Sequence, residues 1–366
     1  MVLVSMTAHH DTTARTRGSR RRRRALFAAV ACAIVGAVCF VVLEAGVRVF
    51  APQDASWLAI YRRHPERPFY ALNPDAHAVV DTGESRWEVF TDADGHRRGR
   101  QPRPSDAPVA LWVGDSFTFG HGVDFEDGWV GRVEQATGDR LRHVNCGVAG
   151  YGPQQYEAIL TDELSERDDV AVVIVGTFLG NDLHDTIWNK DLPVVNGIQG
   201  DPGGLRSWVK RNLHSYRLIS NLYHQLTAQE RPETVALNQL GDPDAWLEPP
   251  LADAIVNYGA SMSNIARLCR ERSVPLVILV VPTLKIVELY QSEGAPPETL
   301  VRDERWLLQR ARGMLCDLDA LLVDATPTLA AKANEQLYFR FDHHLTPRGN
   351  ELVADLLLRT VPQLQR

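Results

Sequence analysis

The sequence has few cysteines, five in 366 residues, and no C-x-x-C pair among them. Cys32 and Cys39 lie in an apolar segment, which leaves Cys146, Cys269 and Cys316, an odd number. A disulfide framework is therefore excluded, and no zinc-binding spacing is present. One bridge among the three remains open, but we expect free buried thiols. The chain is 45% hydrophobic and 23% charged, which excludes a disordered protein and a fibrous repeat.

The chain has no net positive charge outside the N-terminus. The net charge is −7, but residues 1–24 contain seven Arg and one Asp, so residues 25–366 carry a net charge of −13. Binding to nucleic acid requires clustered Lys and Arg that neutralise phosphates. The acidic body therefore predicts no nucleic-acid partner.

Charge is absent altogether from Ala25 to Leu43, 19 residues that follow Arg20–Arg24. A helix of this length nearly spans the ~30 Å of membrane hydrocarbon. The segment is apolar on all sides, whereas a core helix would have a polar stripe. We therefore predict a transmembrane signal-anchor helix over 25–43, with 1–24 as a basic cytoplasmic tail and the rest outside the cytoplasm, in the cell membrane. A cleaved signal peptide is the alternative, and the arginine run also faintly resembles a twin-arginine signal.

The remaining sequence changes character near residue 107. Residues 44–106 are polar and predict a stalk and a small β-element that packs on the main domain, with a hairpin turn at Asp92–Gly95. From 107 to 366, short apolar runs alternate with helical patterns, which predicts a parallel sheet with helices on both sides. The predicted strands are 109–113, 142–146, 170–175, 274–281 and 320–323, and the predicted helices include 125–136, 153–164, 250–272, 297–316 and one that begins at Thr346-Pro347.

An insertion at 183–248 interrupts this alternation. It contains a Pro- and Gly-rich stretch and then apolar residues at helical spacing from Leu205 to Leu226. Packing of this segment onto the domain is the simplest expectation. The basic residues Lys210, Arg211 and Arg217 also allow an interfacial helix, and a lid over the site is a third interpretation.

Four short motifs follow the predicted strands, at the sheet edge where such folds bind ligands. There is no G-x-S-x-G, so the α/β-hydrolase nucleophile elbow is absent. A serine in a strand-to-helix turn, a glycine-rich loop, an amide side chain and an Asp-x-His pair are typical of acyl transfer when they converge. The motifs are GDSFTFG (114–120), NCGVAGYG (145–152), GND (180–182) and DHHLTPRG (342–349).

Together and in this order the four motifs resemble those of the SGNH hydrolases, the GDSL-type esterases and lipases. A looser likeness to membrane-anchored bacterial members extends to Asn73-Pro74 and Asp94–Arg97. The resemblance implies a flavodoxin-like, three-layer α/β/α fold with a five-stranded parallel sheet, here preceded by the transmembrane helix. The insertion at 183–248 is unusually long for this family.

The resemblance also implies roles for individual residues. Ser116 would be the nucleophile, His344 its general base and Asp342 the residue that orients the imidazole. The backbone N–H groups of Ser116 and Gly150 and the side-chain amide of Asn181 would form the oxyanion hole. His343 is the alternative base, and the D-x-H-L-T-P pattern favours His344.

The expected activity is cleavage of an acyl ester, of a small molecule, lipid or glycan, without metal or organic cofactor. An O-acyltransferase of cell-surface polysaccharide would use the same residues. A catalytically inactive binding or assembly protein is a rival of another class, although the intact motif residues argue against it. A metal-dependent hydrolase at Asp342, His343 and His344 is a third, and no second ligand motif such as H-E-x-x-H accompanies them.

Overall fold

The computed structural model describes residues 12–53, 60–101, 106–188, 194–195, 198–199, 204–227, 246–294 and 305–365. The chain forms two compact units. One comprises Met1–Gln53 with Asn212–Ser220, and the other comprises Asp54–Arg211 with Asn221–Arg366.

The strands in the described residues are β1 (Tyr61–Arg63), β2 (Tyr70–Leu72), β3 (His77–Asp81), β4 (Arg86–Thr91), β5 (Arg97–Arg98), β6 (Val109–Gly114), β7 (Arg142–Asn145), β8 (Val170–Phe178), β9 (Val194–Val195), β10 (Ile198–Gln199), β11 (Leu276–Val281) and β12 (Leu321–Asp324). The helices are α1 (Thr12–Phe50), α2 (Ser116–Phe119), α3 (Trp129–Thr137), α4 (Pro153–Glu166), α5 (Asp182–Trp188), α6 (Gly204–Asn212), α7 (His214–Thr227), α8 (Leu251–Glu271), α9 (Leu284–Glu293), α10 (Arg305–Leu315), α11 (Thr326–Ala330), α12 (Pro347–Thr360) and α13 (Pro362–Gln365).

The larger unit is built on an eight-stranded sheet in the order β12-β11-β8-β6-β7-β5-β4-β3. The five strands from β12 to β7 are parallel, and in chain order they are arranged 2-1-3-4-5. This is the flavodoxin-like arrangement, whose ligand sites lie at the carboxyl ends of the strands beside the first strand. The predicted fold class and five-stranded parallel sheet are confirmed.

Helices cover both faces of this parallel sheet, because its strands bury side chains alternately to the two sides. Leu111 and Val113 of β6 belong to one apolar core, together with residues of α4 and α8. Ala110 and Trp112 belong to a second core, together with residues of α3 and α12. The three layers thus follow directly from the uninterrupted apolar runs in the sequence.

The predicted β-element differs from expectation in how it joins the domain. Strands β3, β4 and β5 form an antiparallel meander, and β5 pairs with β7 through Arg97 and Asn145, so they continue the main sheet. The addition covers the outer edge of β7, whose backbone groups would otherwise be unpaired. The turn between β4 and β5 lies at the predicted position, where Gly95 has φ +93° and donates to the Asp92 carbonyl.

Two local expectations differ from the structure, and a third is tested only in part. The predicted helix 125–136 is divided, because Gly128 is extended between the 3₁₀ turn Phe125–Asp127 and α3. Part of the predicted helix 297–316 lies outside the described residues, and the described part is α10. Cys146 and Cys269 are free and buried as expected, whereas Cys316 is free and exposed. As predicted, Thr346 caps α12 by accepting from the Gly349 N–H.

The smaller unit contains the long helix α1, which includes the predicted segment 25–43. Within its stretch Arg23–Phe50, an 18-residue window has a mean hydropathy of 2.9 and contains no buried residue. By length and composition it is a candidate for crossing a membrane, as an anchor or a signal sequence. The amphipathic segment after Leu205 forms two helices, α6 and α7. Contrary to the packing expectation, several of its large apolar side chains are exposed: Leu205, Trp208, Tyr216, Ile219, Leu222 and Tyr223.

Candidate active site

Ser116 lies immediately after β6, as the first residue of the short helix α2. Asp115 caps this helix, since its carboxylate accepts a 2.9 Å hydrogen bond from the Phe117 N–H. Ser116 is buried, with an exposed fraction of 8%. A strand end followed by a capped helix thus holds one hydroxyl at the carboxyl edge of the first parallel strand.

Two residues from the far end of the chain meet this hydroxyl. The Nε2 atom of His344 is 2.7 Å from the Ser116 Oγ. On the other side of the ring, His344 Nδ1 is hydrogen-bonded to the carboxylate of Asp342. The structure thereby brings together three of the predicted site residues, in the order serine, imidazole, carboxylate.

His343, the alternative histidine, is placed differently. Its backbone is left-handed, with φ +61°. Its two ring nitrogens are buried and have no hydrogen-bond partner among the described residues. It is therefore His344, and not its neighbour, that contacts the serine.

A third histidine, which the sequence motifs did not single out, completes the cluster. His121 Nε2 lies 3.4 Å from the second oxygen of Asp342. Its ring is 4.5 Å from that of His344 and 4.8 Å from that of Trp87, between centroids. His121 follows directly after the GDSFTFG motif, and this closeness in sequence to Ser116 is the feature from which it could have been predicted as a site residue.

The charges in this cluster are strongly coupled. Burial opposes ionisation of Asp342, but His344 and His121 outweigh it and hold the pKa of the carboxyl far below its usual range. Burial also opposes protonation of His344, yet the Asp342 carboxylate outweighs it and raises the imidazole pKa. Burial and then the charge of His344 lower the pKa of His121. Burial raises the pKa of Asp115 to about 6.

Gly150 and Asn181 follow β7 and β8, the two strands that flank β6. The Asn181 Nδ2 donates a 3.0 Å hydrogen bond to Asp185. Gly150 has φ +83°, and a Cβ there would lie 2.4 Å from the Tyr70 hydroxyl, so only glycine fits. Both residues thus follow strands that lie on either side of the strand leading to Ser116.

A buried carboxylate fixes the turn that carries Asn181. Asp182 accepts hydrogen bonds from the Tyr156 hydroxyl at 2.6 Å, the Thr177 hydroxyl at 2.5 Å and the Phe178 N–H at 2.9 Å. Burial, followed by the charge of Asp115, raises its pKa well above the usual value. The aspartate of the GND motif therefore supports the loop rather than facing Ser116.

Three side chains from the N-terminal strands hold the loops of three motifs, and none was predicted from the sequence. The Tyr70 hydroxyl donates to the carbonyl of Ala149, in the glycine-rich loop. The buried Arg97 donates to the carbonyls of Phe119, Gly120 and Val123, after α2. The Glu84 carboxylate accepts from the backbone N–H groups of Arg340, Phe341 and Asp342. The region predicted to be a stalk and a small β-element thus contributes to the order of the site.

Among the described residues, three clusters have ligand atoms close enough to hold a metal ion. The first is His121, Asp342 and His344 itself, but the nitrogens of His344 already face Ser116 and Asp342. The second is Asp92, Asp94 and His96, in which Asp94 is exposed. The third is His96, Cys146 and Glu163. There the His96 ring is 3.0 Å from the Glu163 carboxylate, which Arg167 also binds at 2.7 Å. Burial raises the pKa of the Cys146 thiol to about 11, so this cluster resembles an ion-paired network more than a metal site.

The chain has recognisable similarity to known proteins. Residues 245–366 match the family model described as "SGNH hydrolase-like domain, acetyltransferase AlgX". A comparison with curated proteins finds no match. The matched region includes Asp342 and His344, while Ser116 and Asn181 precede it.

Several solved structures are similar to this chain at low identity. A lipolytic protein of the G-D-S-L family from Veillonella parvula is 13% identical, with 69% of this chain and 97% of that chain covered and a TM-score of 0.40. A catalytic mutant of Axe2, an acetylxylan esterase from Geobacillus stearothermophilus, is 13% identical, with 71% and 97% covered and a TM-score of 0.41. The esterase EstA from a Pseudoalteromonas species is 11% identical, with 70% and 98% covered and a TM-score of 0.38.

The 2-1-3-4-5 parallel sheet defines a flavodoxin-like α/β protein with a cluster of polar residues at its strand ends. The family match agrees with the resemblance drawn from the motifs, because residues 245–366 are similar to an SGNH hydrolase-like domain.

Proposed function

We propose that the protein is a serine-dependent esterase that forms a covalent acyl intermediate on Ser116. The observation that carries this proposal is the 2.7 Å contact between Ser116 Oγ and His344 Nε2, with Asp342 bonded to the opposite ring nitrogen. A serine hydroxyl becomes a good nucleophile when a neutral imidazole accepts its proton. The buried carboxylate holds the imidazole in the tautomer that can do so.

In the first half-reaction, Ser116 Oγ bonds to the ester carbonyl carbon as its proton passes to His344. The tetrahedral intermediate then expels the alcohol, which takes that proton from His344. In the second half-reaction, the acceptor hydroxyl loses its proton to His344 and attacks the acyl-serine. Collapse returns the proton to Ser116 and releases the product, so protons and bonds balance over the cycle.

The negative oxygen of each tetrahedral intermediate requires donors. We assign this role to the backbone N–H groups of Ser116 and Gly150 and to the side chain of Asn181. The Asn181 amide nitrogen has two hydrogens, and one of them is donated to Asp185.

The acceptor decides between two candidate functions. Water as acceptor makes the protein an acyl esterase or deacetylase of glycans or lipids. A sugar hydroxyl makes it an O-acyltransferase of cell-surface polysaccharide, and the family model named for the acetyltransferase AlgX favours this second candidate. Both functions use the same residues of the protein, so they differ only in the molecule that accepts the acyl group.

The location follows from the N-terminus. We propose that α1 is a single-pass anchor in the cell membrane, with Arg20–Arg24 in the cytoplasm and the hydrolase-like domain outside. The full chain should then remain in membranes after carbonate washing. A soluble mature form that begins near residue 46 would instead establish a cleaved signal.

The deciding experiment combines labelling and turnover. A fluorophosphonate should label wild-type protein at Ser116 and fail to label Ser116→Ala. Purified protein is then given acyl esters of increasing chain length, with and without a carbohydrate acceptor. Acylated carbohydrate would identify the transferase, and free acid alone the esterase.

Other results would contradict the proposal. Full turnover by Ser116→Ala would exclude the serine mechanism. Loss of turnover on chelation would support the metal alternative, and absence of both labelling and turnover would support a binding or assembly protein.

A further inference from the structure

The end of helix α1 is joined to the beginning of α7. The Glu44 carboxylate accepts hydrogen bonds from the backbone N–H groups of His214 at 3.0 Å and Ser215 at 2.9 Å, and from the Ser215 hydroxyl at 2.7 Å. Arg48 binds Glu44 at 2.8 Å and the carbonyl of Asn212 at 2.5 Å. A carboxylate at a helix N-terminus satisfies backbone donors that the helix itself leaves unpaired. These contacts fix the start of α7 beside Glu44.

Glu44 has a special position along α1. It is the first charged residue after the uncharged stretch 25–43. With α1 across the membrane, as proposed above, Glu44 lies where the chain leaves the hydrocarbon. Helix α7 therefore begins at the level of the lipid headgroups.

Helix α7 exposes a row of large apolar side chains. Tyr216, Ile219, Leu222 and Tyr223 have exposed fractions of 38%, 60%, 50% and 59%. Ile219 follows Tyr216 by three positions, Leu222 follows Ile219 by three, and Tyr223 follows Ile219 by four. Side chains three and four positions apart are neighbours on the helix surface, so the four residues lie on one face. A contiguous apolar face on a helix is a feature of interaction surfaces, in contrast to single exposed apolar residues.

The sequence of α6 and α7 differs in charge from the chain as a whole. Residues 204–227 contain four basic residues and no acidic one, whereas the whole chain has a net charge of −7. Helical segments that combine basic residues with an apolar face are typical of helices that lie in a membrane interface. Anionic headgroups attract Lys and Arg near the membrane surface.

We propose that α7 lies in the headgroup region of the leaflet from which α1 emerges, with Tyr216, Ile219, Leu222 and Tyr223 against lipid. The occupant of this face is thus anionic phospholipid. The inference rests on the proposed anchor, but not on the proposed acyl transfer. It gives the protein a second contact with the membrane beside the anchor itself.

The test places an environment-sensitive fluorophore on the apolar face of α7. Full-length Ile219→Cys is labelled with NBD and reconstituted in vesicles of phosphatidylcholine with or without phosphatidylglycerol. The matched control is Val256→Cys on α8, where the native side chain is 69% exposed and also apolar. Both variants are made in a background without the exposed thiols of Cys32, Cys39 and Cys316.

At position 219 the NBD emission should shift to shorter wavelength, and lipids with a nitroxide on the acyl chain should quench it several-fold more than at position 256. Phosphatidylglycerol should increase that quenching. A water-like spectrum at 219 would overturn the proposal. A blue-shifted spectrum without nitroxide quenching would overturn it in favour of a protein partner or a second copy.

A carbonate wash of the same vesicles separates the two hypotheses. Release of the full chain would contradict the anchor and, with it, the membrane surface. Retention of the chain with a water-like probe at 219 would contradict the membrane surface alone. Repeating the measurement in Ser116→Ala should give the same quenching, because the contact with lipid requires no catalysis.

Discussion

The Glu84 carboxylate accepts a 3.0 Å hydrogen bond from the backbone N–H of Asp342. Glu84 belongs to the turn between β3 and β4, and Asp342 to the loop before α12. The same carboxylate also accepts from the N–H groups of Arg340 and Phe341. One side chain near the N-terminus thus orders the loop that carries both the carboxylate and the imidazole of the site.

Replacing Glu84 should therefore reduce turnover, although Glu84 does not itself contact Ser116. Hydrogen bonds to a charged group are worth about 1.5–3 kcal/mol, so Glu84→Ala should lower kcat by roughly tenfold or more, because His344 is held less well. KM should change little, since Glu84 is not among the groups that we propose to bind the substrate. Steady-state kinetics on an acyl ester measures both.

Two variants sharpen this prediction. Glu84→Gln retains an acceptor oxygen and should lose less activity than Glu84→Ala. Glu88→Ala removes a carboxylate from the adjacent strand whose partners among the described residues are His77 and Arg100, and it should behave as wild type. If kcat fell equally in Glu84→Ala and Glu88→Ala, the loss would reflect disturbance of the strands and not removal of the Glu84 carboxylate.

The pH dependence should report the protonation of His344. Its pKa is raised, and the protonated ring cannot accept from Ser116. Activity should consequently be low in acid and rise with pH, with a midpoint above the ordinary histidine value of about 6.5. The pH profile of kcat/KM measures this midpoint in the free enzyme.

His121 gives a way to move that midpoint. His121→Phe keeps a ring beside His344 but removes the polar contact with Asp342. The Asp342 carboxylate should then interact more strongly with His344, and the midpoint should move to higher pH. An unchanged profile would show that His121 contributes only packing.

Ser116 and His344 should act as a unit. Ser116→Ala and His344→Ala should each abolish acyl transfer, and the double variant should be no worse than either, because their contributions are not additive. His343→Asn should be mild, since Asn tolerates the left-handed backbone at this position. Comparable loss in His343→Asn, with unchanged melting temperature, would reverse the assignment of the base.

Asn181 should affect the chemical step. Asn181→Ala removes one oxyanion donor and should cost on the order of 10²–10³ in kcat, about 3–4 kcal/mol, with little change in KM. Asp185→Asn keeps an acceptor for Asn181 and should lose much less. A rise in KM at constant kcat would instead place Asn181 in ground-state binding.

The sequence by itself determined the parallel sheet, its flanking helices and the four strand-end motifs. Runs such as Val109–Val113 are apolar at every position, which is typical of a strand covered on both faces. Glycines and a cap residue such as Thr346 mark the turns, because their backbone requirements are local. These features depend on neighbours in the chain, so they can be derived from it.

The tertiary structure alone decided which side chains meet. Ser116 and His344 are 228 positions apart, and no local pattern encodes that contact. The two residues of β5 are too few for a periodic signal, so its pairing with β7 could not be predicted. The hydrogen bond from the Arg97 side chain to the Gly120 carbonyl, in the loop after Ser116, could not be predicted either. His121 and Glu84 reach Asp342 only because the sheet order brings their loops to one edge. At this edge the Asp342 carboxylate raises the pKa of His344. This effect depends on the distance between the two groups in space and could not be derived from the sequence.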